Sequence, residues 1–200
     1  MAAGNEIIQS VLASPLAMVV TNPRAPDNPI EVANQAFCNL TGYAEGEILG
    51  RNCRFLAGEQ TESWVSEQLR GAIHQRRPVL VDILNYRRDG TPFRNGVMIA
   101  PVFGEGGELL YFFGSQVDLG ADDPMALSAR RSRAAGMVNT LPQRQREVLA
   151  GMANGLLNKQ IAHELGIAEK TVKMHRALLL ERLGVRTSAE AIRLAVEAGL

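Results

Sequence analysis

The spacing of apolar residues changes once along this chain, and that change restricts the folds open to it more than any other feature. Between Leu16 and Val117 apolar residues stand in short, strand-length runs broken by turn residues. From Leu141 onward they recur only at the three- and four-residue spacing of amphipathic helices. Strand-rich and helix-only patterns in consecutive blocks point to two small domains in series, which 200 residues can accommodate.

In the front block, Leu16 to Thr21 and Ile30 to Ala33 predict a first strand pair, and Asn34 is placed to cap a short helix carrying Phe37 and Leu40. Thr61 opens a longer helix in which Val65, Leu69 and Ile73 form one buried stripe. Three further strands, Val79 to Tyr86, Pro92 to Val102 and Leu109 to Val117, are separated by Asp89-Gly90 and by Glu105-Gly106-Gly107-Glu108, both hairpin signals. The expected product is an α+β domain: a five-stranded antiparallel sheet with its helices on one face. Asp122, Asp123 and Pro124, followed by an Ala- and Arg-rich stretch, predict a linker helix. Breaks near Gly155, at Gly166-Ile167 and at Gly184 to Thr187 divide the remainder into the four helices of an all-α domain.

Hydrophobic residues are 46% and charged residues 21% of the chain, which excludes the disordered, highly charged class. The net charge is zero but unevenly placed: residues 1–120 hold 9 Lys and Arg against 13 Asp and Glu, and residues 138–200 hold 9 against 6. A basic rear segment suits a phosphate-rich partner, or is an ordinary solvated surface. Cys38 and Cys53 have neither metal-knuckle nor redox-pair spacing, which agrees with a reducing compartment. No apolar run approaches the ~20 residues of a membrane span, so the chain reads as cytoplasmic and free of membrane. His74, His163 and His175 are scattered and form no metal set.

The segment Gly50-Arg51-Asn52-Cys53-Arg54-Phe55-Leu56 carries the chemistry of the front domain. A cysteine in apolar surroundings is ordinarily an inert core residue, but here an amide and a cation flank the thiol. Arg54 and Arg70 form a candidate phosphate clamp, because guanidinium forks match phosphate oxygens. Asn85, Asn95 and Gln116 stand at strand positions whose face is otherwise apolar: Asn85 with Ile83, Asn95 with Val97 and Ile99, Gln116 with Phe112 and Gly114. Buried amides need partners, and three beside an apolar wall suit the polar edge of a flat heteroaromatic ligand.

These residues together resemble the light-oxygen-voltage class of PAS domains over residues 14–118, behind an N-terminal extension, residues 1–13. The resemblance implies bound FMN, with FAD or riboflavin as related candidates. Asn52, Asn85, Asn95 and Gln116 would bond the flavin ring, Arg54 and Arg70 would hold the phosphate, and Val19, Thr21, Ile83, Phe112 and Gly114 would line the pocket. It further implies that blue light drives the sulfur of Cys53 onto ring carbon C4a while ring nitrogen N5 gains a proton, and that Gln116 rotates its amide in response. The sequence departs from the family at Ala57, often glutamine, and at Ser66, often aliphatic.

Behind the linker, placed at residues 119–138, the helix Asn158 to Leu165, the turn at Gly166 and the helix Glu169 to Leu183 form a helix-turn-helix pattern. Val172, Leu179 and Leu183 face its core and leave Lys170, Thr171, Lys173, Met174 and Arg176 exposed. Leu141 to Leu149, Gly155, Asn158 to Ala162 and Lys170 to His175 resemble the LuxR-type DNA-binding domain over residues 139–200. That resemblance implies double-stranded DNA as partner: Lys173, Met174 and Ala177 would face base edges, and Lys170, Thr171 and Arg176 phosphates. Ala168 stands where the family commonly has a capping serine. The last helix, Ser188 to Ala198, would form a dimer contact through Ala191, Ile192, Ala195 and Val196.

The resulting expectation is a blue-light-regulated transcription factor without enzymatic activity. In the dark it is a monomer whose sensor sheet covers the last helix; in the light, release permits homodimerisation and DNA binding. A LuxR-type regulator whose PAS domain binds another small molecule would be colourless, and a flavin oxidoreductase would turn over NADH.

Overall fold

A computed structural model describes residues 2–120 and 126–200. Five strands, β1 (Ala17–Thr21), β2 (Ile30–Ala33), β3 (Val79–Tyr86), β4 (Pro92–Phe103) and β5 (Leu109–Asp118), form one antiparallel sheet in the order β2-β1-β5-β4-β3. Asp89-Gly90 and Glu105 to Glu108 turn the two hairpins, with Gly90 at φ 84° and Gly107 at φ 80°, the left-handed region these turns need. The chain returns from β5 to pair with β1, in register Val19 to Gly114 and Ala17 to Gln116.

One face of the sheet carries α2 (Gln35–Thr41), α3 (Glu45–Ile48), a 3-10 turn (Cys53–Leu56) and α4 (Ser63–His74). Asn34 caps α2 by accepting from Phe37 N at 3.0 Å, and it also accepts from Met18 N at 3.0 Å, locking the helix to β1. Thr61 does not open α4 as the pattern predicts. Its hydroxyl donates to Leu84 O at 2.8 Å and accepts from Gly58 N at 2.9 Å, so it ties the loop to β3, and the helix starts after Glu62. Arg94 on β4 then joins β3 and α4, pairing with Asp82 at 2.8 Å and with Glu62.

The opposite face departs from the expectation of helices on one side only. Residues 1–13, read as an extension, contain α1 (Ala2–Ala13), whose Ile7 and Val11 are buried. Beyond the sheet lie α5 (Ala126–Asn139), α6 (Gln143–Ala153), α7 (Asn158–Leu165), α8 (Glu169–Leu183) and α9 (Ser188–Ala198). The acidic start predicted for the linker helix, Asp122 to Pro124, lies outside the described residues. Ile7, Val11, Met18, Met98, Val102 and Phe113 share one apolar cluster with Leu149, Ile161, Leu179 and Ile192, so the sheet and the helical block are joined by a common core. Gly155 lies hard against β4: a Cβ there would sit 2.4 Å from Pro101 O, a distance backbone cannot yield to.

Candidate functional site

Alternation along the strands sends Val19, Thr21, Ile83, Asn85, Asn95, Phe112, Gly114 and Gln116 to the α4 side of the sheet, where they line a cavity of about 220 Å³. Asn52, Cys53, Arg54 and Arg70 close it from the turn and from α4. Every flavin-site residue expected from the sequence therefore borders one space. Leu56, Leu69, Ile73, Val97 and Ile99 complete its apolar wall. The helical stripe and the strand alternation place Leu69, Ile73, Val97 and Ile99 on the correct faces, whereas Leu56 and Asn28, which also lines the cavity, carry no periodic signal.

The 3-10 turn fixes the thiol. Asn52 Oδ1 accepts from Arg54 N at 3.0 Å and Asn52 Nδ2 donates to Asp27 O at 2.6 Å, so the residue before Cys53 is held from both ends. Arg51 stacks 4.4 Å from the Phe55 ring centroid, and Phe55 meets Tyr43 edge-on at 4.9 Å. Burial pushes the Cys53 thiol up to about 12, which keeps it protonated at neutral pH.

The polar wall fits a flat heteroaromatic ring on its own chemistry. Asn95 Nδ2 donates to Asn85 Oδ1 at 2.9 Å, but buried Asn95 Oδ1 and Gln116 Oε1 accept nothing among the described residues. Unpaired buried carbonyls are uncommon and mark where a donor belongs. Gly114 leaves the sheet bare beside them: a Cβ there would lie 3.4 Å from Gln116 Nε2 and from Val19 Cγ2.

Gln116 and Ser115 are neighbours on β5, and the pleat turns them to opposite faces. Ser115 Oγ accepts from Arg193 Nη1 of α9 at 2.7 Å. Arg193 is 2% exposed, donates from Nε to Glu197 at 2.7 Å, and reaches Gly96 O at 3.4 Å. Burial pulls its pKa below the ordinary guanidinium value, and the Glu197 carboxylate acts in the opposite direction. Around this pair Ala191, Ile192 and Ala195 are buried and Val196 is half-buried, so all four expected dimer-contact residues are covered to some degree.

The helix-turn-helix is formed by α7, Gly166 at φ 64°, and α8. Ala168 provides no side-chain cap to α8. Lys170, Lys173, Met174 and Ala177 are exposed and Thr171 is half-buried. Arg176 corrects the expectation of an exposed phosphate contact: its side chain is 17% exposed and bonds Asn158 at 2.7 Å, Ser188 at 2.8 Å, and Glu6 of α1. Sequence patterning missed this because Glu6 lies 170 residues away. Among the described residues no helix is long and apolar enough to cross a membrane, and no cluster of three metal-ligating side chains occurs.

Residues 15–121 match the PAS domain family, and residues 139–195 match the luxR family of bacterial regulatory proteins. The blue-light-activated histidine kinase 1 of Erythrobacter litoralis is 51% identical over 104 residues, which are 52% of this chain and 29% of that protein. The blue-light-activated histidine kinase of Brucella anthropi is 48% identical over 115 residues, 58% of this chain and 23% of that one. The chain thus spans under a third of the length of these curated relatives. Among solved structures, the dark form of the Aureochrome1 LOV photoreceptor aligns with a TM-score of 0.55 at 33% identity, covering 64% of this chain and 91% of that one. The LOV domain of the Erythrobacter litoralis EL346 blue-light-activated kinase aligns with a TM-score of 0.52 at 37% identity, covering 54% and 99%. With the cavity, its cysteine and the helix-turn-helix in view, the chain belongs to the PAS domain family, as a light-oxygen-voltage module followed by a LuxR-type DNA-binding module.

Proposed function

We propose that this protein is a blue-light photoreceptor that regulates transcription, without catalysis of its own, in the cytoplasm. FMN is the proposed chromophore, with riboflavin or FAD as chemically related occupants. The observation that carries the reading is the placement of Gln116 and Ser115 on one strand, the first against the cavity that holds Cys53, the second against the buried Arg193 of α9.

A bound flavin would supply the light absorption and the ring carbon that accepts the Cys53 sulfur, its neighbouring nitrogen gaining a proton. The chain's own residues do the rest. Leu56, Ile83, Val97 and Phe112 would give the ring an apolar wall, and the Asn85–Asn95 pair would orient its polar edge. Gln116 can answer a change from acceptor to donor by rotating its amide, because its two ends differ only in hydrogen-bonding sense. A shift of the β5 backbone at Gln116 moves Ser115, and with it the contact to Arg193.

In the docked arrangement α9 faces the sheet, so the helix proposed to join two copies is covered, while Lys170, Lys173, Met174 and Ala177 stay open. Inhibition therefore acts by blocking dimerisation and by capturing Arg176, with the rest of the recognition helix uncovered. We accordingly read the dark form as a monomer and the lit form as a homodimer on double-stranded DNA. A coupling of about 1–3 kcal/mol between the two sites would change DNA occupancy by roughly one to two decades.

An absorption spectrum before and after blue illumination tests the reading. Yellow protein should lose its blue band and recover it in darkness, and Cys53→Ala should keep the band without bleaching. Colourless protein from riboflavin-rich expression would instead favour a regulator of another ligand.

A further inference from the structure

The two arginines at the mouth of the cavity are not equivalent. Arg54 gives both terminal nitrogens to Asp27, Nη1 to Oδ2 at 2.9 Å and Nη2 to Oδ1 at 2.5 Å. Arg70 makes only a 3.4 Å bond from Nε to Ser66 O and has no carboxylate partner among the described residues. Asp27 is held by an unusual loop, in which Asp27 and Asn28 are consecutive non-glycine residues at φ 69° and 48°. Aspartate and asparagine are the non-glycine residues that enter this region most readily, so the loop is adopted with little strain. Here Asn52, the neighbour of Cys53, holds the loop by donating to Asp27 O at 2.6 Å. Two positive charges thus line the cavity, and one of them, Arg54, carries a paired negative charge beside it.

Building on the flavin reading above, we infer that Asp27 governs the preference between a phosphorylated and an unphosphorylated flavin by competing with the ligand phosphate for Arg54. A phosphate monoester carries about 1.5–2 negative charges at neutral pH. It meets Arg70 without opposition, but finds Arg54 already engaged and a carboxylate beside it. FMN and riboflavin share the ring and the sugar chain, so the ratio of their affinities isolates what the phosphate gains. Asp27 keeps that ratio modest and leaves phosphate selection chiefly to Arg70. The ion pair is well exposed, with side-chain exposures of 67% and 55%, so salt screens the effect.

The test uses full-length, flavin-stripped protein titrated with FMN and with riboflavin, followed by flavin fluorescence. Asp27→Asn preserves shape, and asparagine tolerates the left-handed conformation well. At roughly 20 mM salt the FMN-to-riboflavin affinity ratio should rise about five- to tenfold in Asp27→Asn, shrink at high salt, and leave riboflavin affinity nearly unchanged. In wild type, Arg54→Ala should lower FMN affinity several-fold less than Arg70→Ala, and that gap should close in the Asp27→Asn background. An unchanged or lower ratio in Asp27→Asn, or equal losses from the two arginine variants in wild type, would overturn the inference, since Asp27 would then be orienting Arg54 for the phosphate. Failure of wild type to bind either flavin would overturn the flavin reading itself, and this inference with it.

Discussion

Replacing Arg193 by alanine should open the docked state in the dark. In the docked arrangement the guanidinium is 2% exposed and serves Glu197, Ser115 Oγ and Gly96 O together. Without it Glu197, whose side chain is 4% exposed, retains only Arg130 Nε at 3.6 Å, and the two acceptors on the sheet lose their donor. When the modules separate, those groups meet water, so the cost falls on the docked state alone. Removing one partner of a buried pair costs about 3–5 kcal/mol. With Arg130 compensating in part, about 2–3 kcal/mol remains, a roughly 30- to 150-fold shift of the docking equilibrium. Size-exclusion chromatography and fluorescence anisotropy with a duplex at low salt, both in darkness, read the result. The variant should elute and bind DNA like illuminated wild type. Arg193→Leu combined with Glu197→Leu should recover most of the docking, because well-packed apolar replacements of a buried ion pair are often neutral. Wild-type elution and DNA affinity for dark Arg193→Ala would refute the reasoning, since the buried guanidinium would then contribute nothing to holding the modules together.

Glu6→Gln leaves the apolar packing of α1 intact and removes the only carboxylate that neutralises Arg176 among the described residues, while Asn158 and Ser188 still bond it, so dark DNA affinity should rise a few-fold at low salt, with a steeper salt dependence as that charge becomes available to phosphate; anisotropy titrations at two salt concentrations check both. The Cys53 thiol should be alkylated by iodoacetamide in flavin-free protein on the order of a thousandfold more slowly than a free thiol of pKa about 8.5 at neutral pH. Because the folded pKa is raised to about 12, ionisation of the unfolded thiol favours unfolding as pH climbs above about 9, and alkylation should accelerate through the same range. Mass-spectrometric rates between pH 7 and about 10 test this sign, and rapid pH-independent labelling would contradict it.

Strand positions were readable from the sequence because alternation is a local signal: Ile30 to Ala33 is β2 and Val79 to Tyr86 is β3 as expected, and the other three expected strands each differ at one end by a single residue. The three final helices also match, bounded by Gly166, Gly184 and Gly199 in the left-handed conformation. Cavity residues were legible for a different reason, since asparagine and glutamine on apolar strand faces violate the pattern and so reveal themselves. Helix α1 escaped notice because its stripe is only two residues long, Ile7 and Val11, and the elements that bury it are distant in sequence. A usable clue did exist, in that Ala17-Met18-Val19-Val20 is apolar at successive positions, so both faces of β1 needed a cover. Arg193 had no such clue. A charged residue on an amphipathic helix reads as solvent-facing, and only the docked sheet turns it inward.

The central claim is that a bond made at Cys53 is felt at α9 through β5. Hydrogen exchange of the α9 amides, in darkness and under continuous blue light on the same sample, tests it directly. Light should accelerate exchange from Ala189 to Glu197 and leave Cys53→Ala unaffected. Equal protection of α9 in both conditions, in protein whose blue band has bleached, would contradict the account.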